Sequence, residues 1–396
     1  MRRGLIARSR VELPDAVFDA RLDRLRATMR GLERVRRNHH ATQLTASSPR
    51  LQGEGWGEDN FPQARTRGEA LSPAAASLSP ERVLDALLIY TNNTRAAAVS
   101  WLTGFIPYWS EAMLVVPRTE PPVLVVALTF RVKPWIERTS RVGEVIHAPR
   151  IGIEAARLIA SRNADAAVGV IDFDGLPAGI ADDLREAGPR LALSDASDLF
   201  TELRARADPA EIMLTARASS IAASALSRME AHEGIGKIVA AVEKEARRLG
   251  AEEVYVAVAP DLSRDRRLVR IEGEPALGRR FSVRASVAYK GSWVRRLVTI
   301  DRDGSAIDAA EAAFADAVAQ LPSDRVLSQF SSFLVEGCCG AQPLEALMGS
   351  RVTVQHPPVA GAVVSVQVCI EVDGQPILLG APVLVGATGE ATSVFP

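Results

Sequence analysis

The chain has 396 residues, 47% of them hydrophobic and 24% charged, with 47 Lys and Arg against 48 Asp and Glu. That length gives a globular protein of two or three domains with a sizeable core, and a net charge of -1 argues against a polyanion-binding surface and so against nucleic acid as a partner. With only five His and three Cys, a zinc centre built from those residues has little material to work with.

Cys338 and Cys339 are adjacent and Cys369 is the odd one left, so no disulfide framework is implied and a reducing, cytoplasmic setting is expected. The basic stretch Met1 to Arg10 is not followed by an apolar run, and nothing approaches the roughly 18–20 apolar residues of a membrane helix. The expectation is a protein with no leader and no membrane partner.

In chain order, Val17, Leu22, Leu25, Met29 and Leu32 recur at helical spacing and predict a helix over 16–36. Residues 39–80 are rich in Ser, Pro, Gly, Gln and Arg without either period, and read as a disordered insertion. Strands are predicted at 84–90, 112–117, 123–130 and 168–172. Helices are predicted at 151–162 and 179–186, so residues 81–200 read as mixed α/β. Asp208-Pro209-Ala210-Glu211 is an N-terminal helix signature, with a capping Asp, a Pro in the first turn and an acid three residues on. A second helix follows over 235–249. Beyond it come strands at 254–258, 281–289 and 293–300, a helix over 305–320, and several strands within 352–385. Gly234-Ile235-Gly236-Lys237 lacks the spacing of a phosphate loop, and no strand leads into it.

Several segments, in this order, resemble the creatinase, Xaa-Pro aminopeptidase and prolidase family. They are Phe18 to Leu25 with Leu84 to Tyr90, Val99-Ser100-Trp101-Leu102-Thr103-Gly104-Phe105, Leu203 to Ile212, Tyr289-Lys290-Gly291, Gly361 to Val366, and Val383-Leu384-Val385. The resemblance implies an α/β (α+β) protein in two parts: a creatinase N-terminal-like domain over 1–200, interrupted by 39–80, and a pita-bread catalytic-type domain over 201–396. It also implies a homodimer. Trp101, Phe105, Tyr108 and Trp109 then read as core or dimer interface, or else as a substrate wall.

The same resemblance locates the positions at which typical members hold two metal ions through two Asp, one His and two Glu. The first Asp position is Arg284, five residues before Tyr289, and the second is Arg295, six residues after it. The His position falls in Glu336-Gly337-Cys338-Cys339-Gly340, and the two Glu positions are Gln367 and Ala387. A guanidinium offers donors only and repels a divalent cation. The expectation is therefore a site with no metal and no cofactor, a degenerate relative of the family.

Two functions fit such a site. One is a non-catalytic protein that binds an anionic small molecule or peptide-like ligand, with Arg284, Arg295, Trp293, Tyr289 and Gln367 as the substrate-binding set. Alternation along a strand puts Trp293 on the Arg295 face and Arg296 on the opposite one. The arginines could equally pair with Glu336, Asp265 or Glu371 and fill the space the metals occupy in relatives. The other function is a metal-independent amidohydrolase acting on a C–N bond of a small anionic substrate. Cys338 and Cys339 are its candidate nucleophiles, their thiols lowered by the arginines, with Glu336 beside them. The loop Asp261 to Arg267, where a metal-free relative would carry its His, offers no base of suitable pKa.

Overall fold

The structure is a computed structural model. It describes residues 12–39, 83–107, 110–230, 234–302, 307–321, 330, 332–337, 358–386 and 392–396, with the backbone alone for 31–39 and 332–337. The insertion predicted over 39–80 lies outside the described residues beyond His39, as do Tyr108, Trp109, Cys338, Cys339 and Ala387.

The first half opens with helix α1 (Asp15–His39). A six-stranded mixed sheet follows, in the order β4-β3-β2-β1-β5-β6. Its strands are β1 (Ala86–Thr91), β2 (Ala112–Pro117), β3 (Val123–Val126), β4 (Glu144–His147), β5 (Ala167–Ile171) and β6 (Ala192–Asp195). The interleaved helices are α2 (Ala97–Thr103), α3 (Lys133–Thr139), α4 (Ile151–Ala160), α5 (Ala178–Ala187) and α6 (Ser197–Arg204). Both faces of this sheet are covered. Leu87, Ile89, Leu114, Val116 and Leu124 pack with α1, α2 and α6, while Leu88, Met113, Val115 and Val125 pack with α4 and α5. Burial on both faces is why these strands read as continuous apolar runs. Trp101 and Phe105 belong to the first of these cores and are 5% and 1% exposed.

The second half begins at α7 (Pro209–Leu226), whose start is fixed by a complete capping box. Asp208 accepts from the Glu211 backbone N–H, and Glu211 accepts from that of Asp208. Helix α8 (Ile235–Arg248) follows. The second sheet runs β10-β11-β12-β9-β8-β7, with β13 pairing to β12. Its strands are β7 (Glu253–Ala259), β8 (Arg280–Tyr289), β9 (Ser292–Asp301), β10 (Ser332–Gly337), β11 (Val363–Val372), β12 (Gln375–Leu384) and β13 (Ser393–Val394), with α9 (Ile307–Ala319) before β10. Every pairing is antiparallel. One face is a normal core: Val283, Ala285, Val287 and Val294 meet α7 and α8, and Val364, Val366, Leu379 and Ala381 meet α9. Among the described residues, no helix is long and apolar enough to cross a membrane.

A buried polar seam joins the halves. Arg21 on α1 donates to both carboxylate oxygens of Asp208, at 2.7 and 3.2 Å, and to the Trp101 carbonyl at 2.8 Å. Arg204 on α6 pairs with Glu211 on α7 at 2.5 Å, both side chains under 10% exposed. Burial alone would raise the Asp208 carboxyl, but the hydrogen bonds and charge of Arg21, with the Glu211 N–H and Arg24, hold it below the usual carboxylate range.

Candidate functional site

Residues directly opposite each other in an antiparallel pair share a face. On β8 and β9 the register couples Ser282 with Thr299, Arg284 with Leu297, Ser286 with Arg295 and Ala288 with Trp293. β7 adds Tyr255 opposite Ser286 and Ala257 opposite Arg284. Gly380 of β12 lies opposite Leu297, Gln367 of β11 lies opposite Gly380, and Ser365 lies two residues along from Gln367 on the same side. The face turned away from the helices thus collects Arg284, Ser286, Trp293, Arg295, Ser365 and Gln367. Four of the five expected binding residues meet there.

Tyr289 is the exception and corrects that set. It falls on the helix side of β8, where its hydroxyl hydrogen-bonds Glu12 and its ring lies 5.8 Å from the Arg217 guanidinium. Burial and the Glu12 carboxylate push its pKa up to about 12. It ties the hairpin to the start of the described chain and does not face Arg295. Arg296 does turn to the helix side. It donates to the Ser219 hydroxyl at 3.0 Å and to the Phe395 carbonyl, and burial lowers its pKa.

The polar face is more enclosed than an ordinary solvated sheet surface. Arg295 and Gln367 are each 7% exposed, and Ser286 and Ser365 are fully buried. Among the described residues, Ser365 Oγ has no hydrogen-bond partner. The Thr299 hydroxyl meets that of Ser282 at 2.7 Å and bridges to the Leu378 carbonyl and N–H at 2.8 and 2.9 Å, stitching β9 to β12. Gly380 makes the crossing of β12 possible. A Cβ there would stand 2.8 Å from Gln367 Cγ and 3.2 Å from Leu297 Cβ, so its absence lets Gln367 lie over β12 towards β9. At the hairpin end, the Tyr255 and Trp293 rings stack at 5.6 Å with 17° between their planes, and the Arg270 guanidinium lies 5.9 Å from the Tyr255 ring.

Two acids offered as partners for the arginines are engaged elsewhere. Asp265 pairs with Arg267 and Glu371 with Arg266, at 2.8 and 2.9 Å. Arg266 also donates to Cys369 Sγ at 3.7 Å. Glu336 is the register partner of Ser365. The candidate nucleophiles Cys338 and Cys339 lie outside the described residues. Cys369 is 1% exposed in a small core with Leu297 and Leu378. Among the described residues, no three His, Cys, Asp or Glu side chains are grouped to hold a metal ion. At the start of α8 the Gly236 N–H donates to the Glu274 carboxylate at 3.2 Å, so an acid of this chain occupies the place a phosphate would take in a loop site.

Sequence reasoning missed Ser286, Ser365, Thr299 and Tyr255. Strand alternation from Arg284 and Gln367 carries the signal for the serines. Tyr255 required the β7–β8 register, which no local pattern encodes.

The comparisons with known proteins agree with this architecture. A family model described as the Creatinase/Prolidase N-terminal domain matches residues 76–206. No curated protein matches the sequence. Among solved structures, the dipeptidase PepE from Mycobacterium ulcerans is 16% identical with a TM-score of 0.61, covering 97% of this chain and 96% of its own. The prolidase from Pyrococcus furiosus is 15% identical with a TM-score of 0.58, covering 79% and 94%. The N-terminal domain of FACT complex subunit SPT16 from chickpea, Cicer arietinum, is 16% identical with a TM-score of 0.54, covering 79% and 90%. At such identities the likeness establishes the fold. The chain carries a creatinase/prolidase N-terminal domain and, as a whole, the pita-bread fold of prolidases and Xaa-Pro dipeptidases.

Proposed function

We propose that this protein is a metal-independent, non-catalytic relative of the Xaa-Pro peptidases that binds a small anionic ligand on the polar face of its second sheet. The observation that carries the reading is the shared face of Arg284 and Arg295, two guanidinium groups in a row of Ser, Thr and Gln side chains. This donor set does not fit a dinuclear metal centre. Divalent ions of that kind want carboxylates and imidazoles, and a guanidinium has no lone pair to give. The set does suit a carboxylate, phosphate or sulfate, for which arginine offers paired donors.

Burial strengthens the reading. With Arg295, Ser365 and Gln367 each under 10% exposed, an anion there would meet its donors in a poorly screened setting. The self-paired acids and arginines of Asp261 to Arg267 leave that loop no neutral base.

The test has two arms. Elemental analysis of purified protein incubated with Mn, Co or Zn is expected to show no stoichiometric metal, and bound metal at one or two equivalents overturns the reading. Thermal unfolding with sulfate and phosphate is expected to show stabilisation by mass action, reduced at least tenfold in apparent affinity in Arg295→Ala. Equal stabilisation of Arg284→Ala, Arg295→Ala and parent removes the pocket.

A further inference from the structure

Two charges of one sign stand close together on the second sheet. Arg284 lies opposite Leu297 and Arg295 opposite Ser286, so the two arginines are diagonal neighbours on adjacent strands. Such neighbours hold their Cβ atoms roughly 7–8 Å apart or less, a gap that two arginine side chains can close onto one group. Arg280 shares the face, but its guanidinium is tied to Asp301 at 2.7 Å with both side chains buried. Neither Arg284 nor Arg295 can shed its proton, so the pair stays doubly positive. Their repulsion is strongest where water screens least, and Arg295 is only 7% exposed. One negative charge between them balances one guanidinium, and two balance both.

The row across the sheet adds a requirement of shape. Gly380 of β12 lies opposite Leu297, which sets Pro382 beside Arg295, and Pro382 is opposite Ser365 on β11. Tyr255, Ser286, Arg295, Pro382 and Ser365 thus stand abreast on five neighbouring strands. Strands lie about 4.8 Å apart, so Arg295 and Ser365 flank a span of about 10 Å floored by a proline, which has no donor of its own. Ser365 is fully buried, and among the described residues its hydroxyl has no partner. An oxygen carried towards it by an anion seated on the arginines relieves that group.

The number of oxygens then separates the anions. A carboxylate has two, and a forked guanidinium takes both. A phosphoryl group has three strong acceptors, so one is left for a serine hydroxyl of the row. Beyond Ser365 the row ends on its register partner Glu336, so the cationic part of the row, and the seat of the anion, is at β8 and β9. At the other end Tyr255 is 37% exposed, so the row opens towards β7 and gives an ester group a way out.

We infer, on the basis of the anion-binding role proposed above, that this face selects a doubly charged tetrahedral oxyanion, the terminal phosphoryl group of a phosphate monoester, over carboxylates and phosphate diesters. Arg284 and Arg295 share the two charges, and the ester oxygen points towards β7.

The probes are methyl phosphate, dimethyl phosphate as a tetrahedral group of single charge, and acetate, in titration calorimetry of the full chain at pH 8. There a monoester carries its second charge, whose pKa is about 6. Methyl phosphate is expected to bind at one equivalent and about tenfold or more tightly than either monoanion. Arg284→Gln is expected to bring methyl phosphate down to the level of dimethyl phosphate. Arg284→Lys keeps the second charge and is expected to keep the preference. The three anions on the parent need no variant. Equal affinity for all three overturns the selection and leaves the anion site of the proposed function standing. A preference that survives Arg284→Gln also overturns it. If none of the three binds, the anion site and its selectivity fall together.

Discussion

The two sheets of this protein, one of strands four to six residues long and the other mostly of strands six to ten, are put to opposite use. In the first, both faces are apolar and buried, so Leu114 and Val115 each find a core on their own side. In the second, the face against the helices is apolar while the other buries Ser286, Arg295, Ser365 and Gln367. Apolar burial stabilises wherever it occurs, whereas buried polar groups cost stability unless fully paired. A sheet that keeps such a row must satisfy its polar groups one by one, and the first sheet shows what the fold looks like without that requirement.

The contrast can be broken most sharply by matched truncations. Leu114→Ala, fully buried between β1 and β3, should cost about 2–5 kcal/mol in chemical denaturation, the range for a leucine removed from a close-packed core. Ser365→Ala, at equal depth in the second sheet, should cost nothing and gain up to about 1 kcal/mol, since it removes a hydroxyl with no partner among the described residues. A loss of more than about 1 kcal/mol in Ser365→Ala would mean that the polar face is structural.

A pH-dependent effect lies at the seam. The Asp208 carboxyl is held low in the folded state. Its contribution to stability is therefore present above the ordinary Asp pKa of about 3.9, and is lost as pH falls through the depressed folded value. Asp208→Asn should melt below the parent at pH 7, and the two melting curves should converge in acid. A constant gap across pH would show that the Arg21 pair contributes little.

Much of this was legible in the sequence, for reasons that also mark the limit. The capping box at Asp208 and Glu211 was written in four consecutive residues, and helix α7 begins where it predicts. The apolar runs at 112–117 and 168–172 became the central strands Ala112–Pro117 and Ala167–Ile171. Short elements were not visible: α3, β4, β6 and α6 span four to eight residues each, too few for a period to emerge. On the candidate site, alternation put Trp293 with Arg295 and sent Arg296 away. It also removes Tyr289 from that group, since 289 shares parity with 285 and 287 and not with 284. The passage of Gln367 over Gly380 depends on strands far apart in sequence, and no local pattern announces it.

The Arg21–Asp208 pair has a kinetic consequence. Its partners lie 187 residues apart, one on the first helix and the other at the start of α7. During synthesis, helix α1 emerges long before the carboxylate that completes its contacts. The intervening chain must close a loop of that length before the pair can form, and pairings of such separation form late. The first sheet can assemble without Asp208. The docking of α1 against the second half cannot, so that step closes the seam only after the chain has been made well beyond the first sheet.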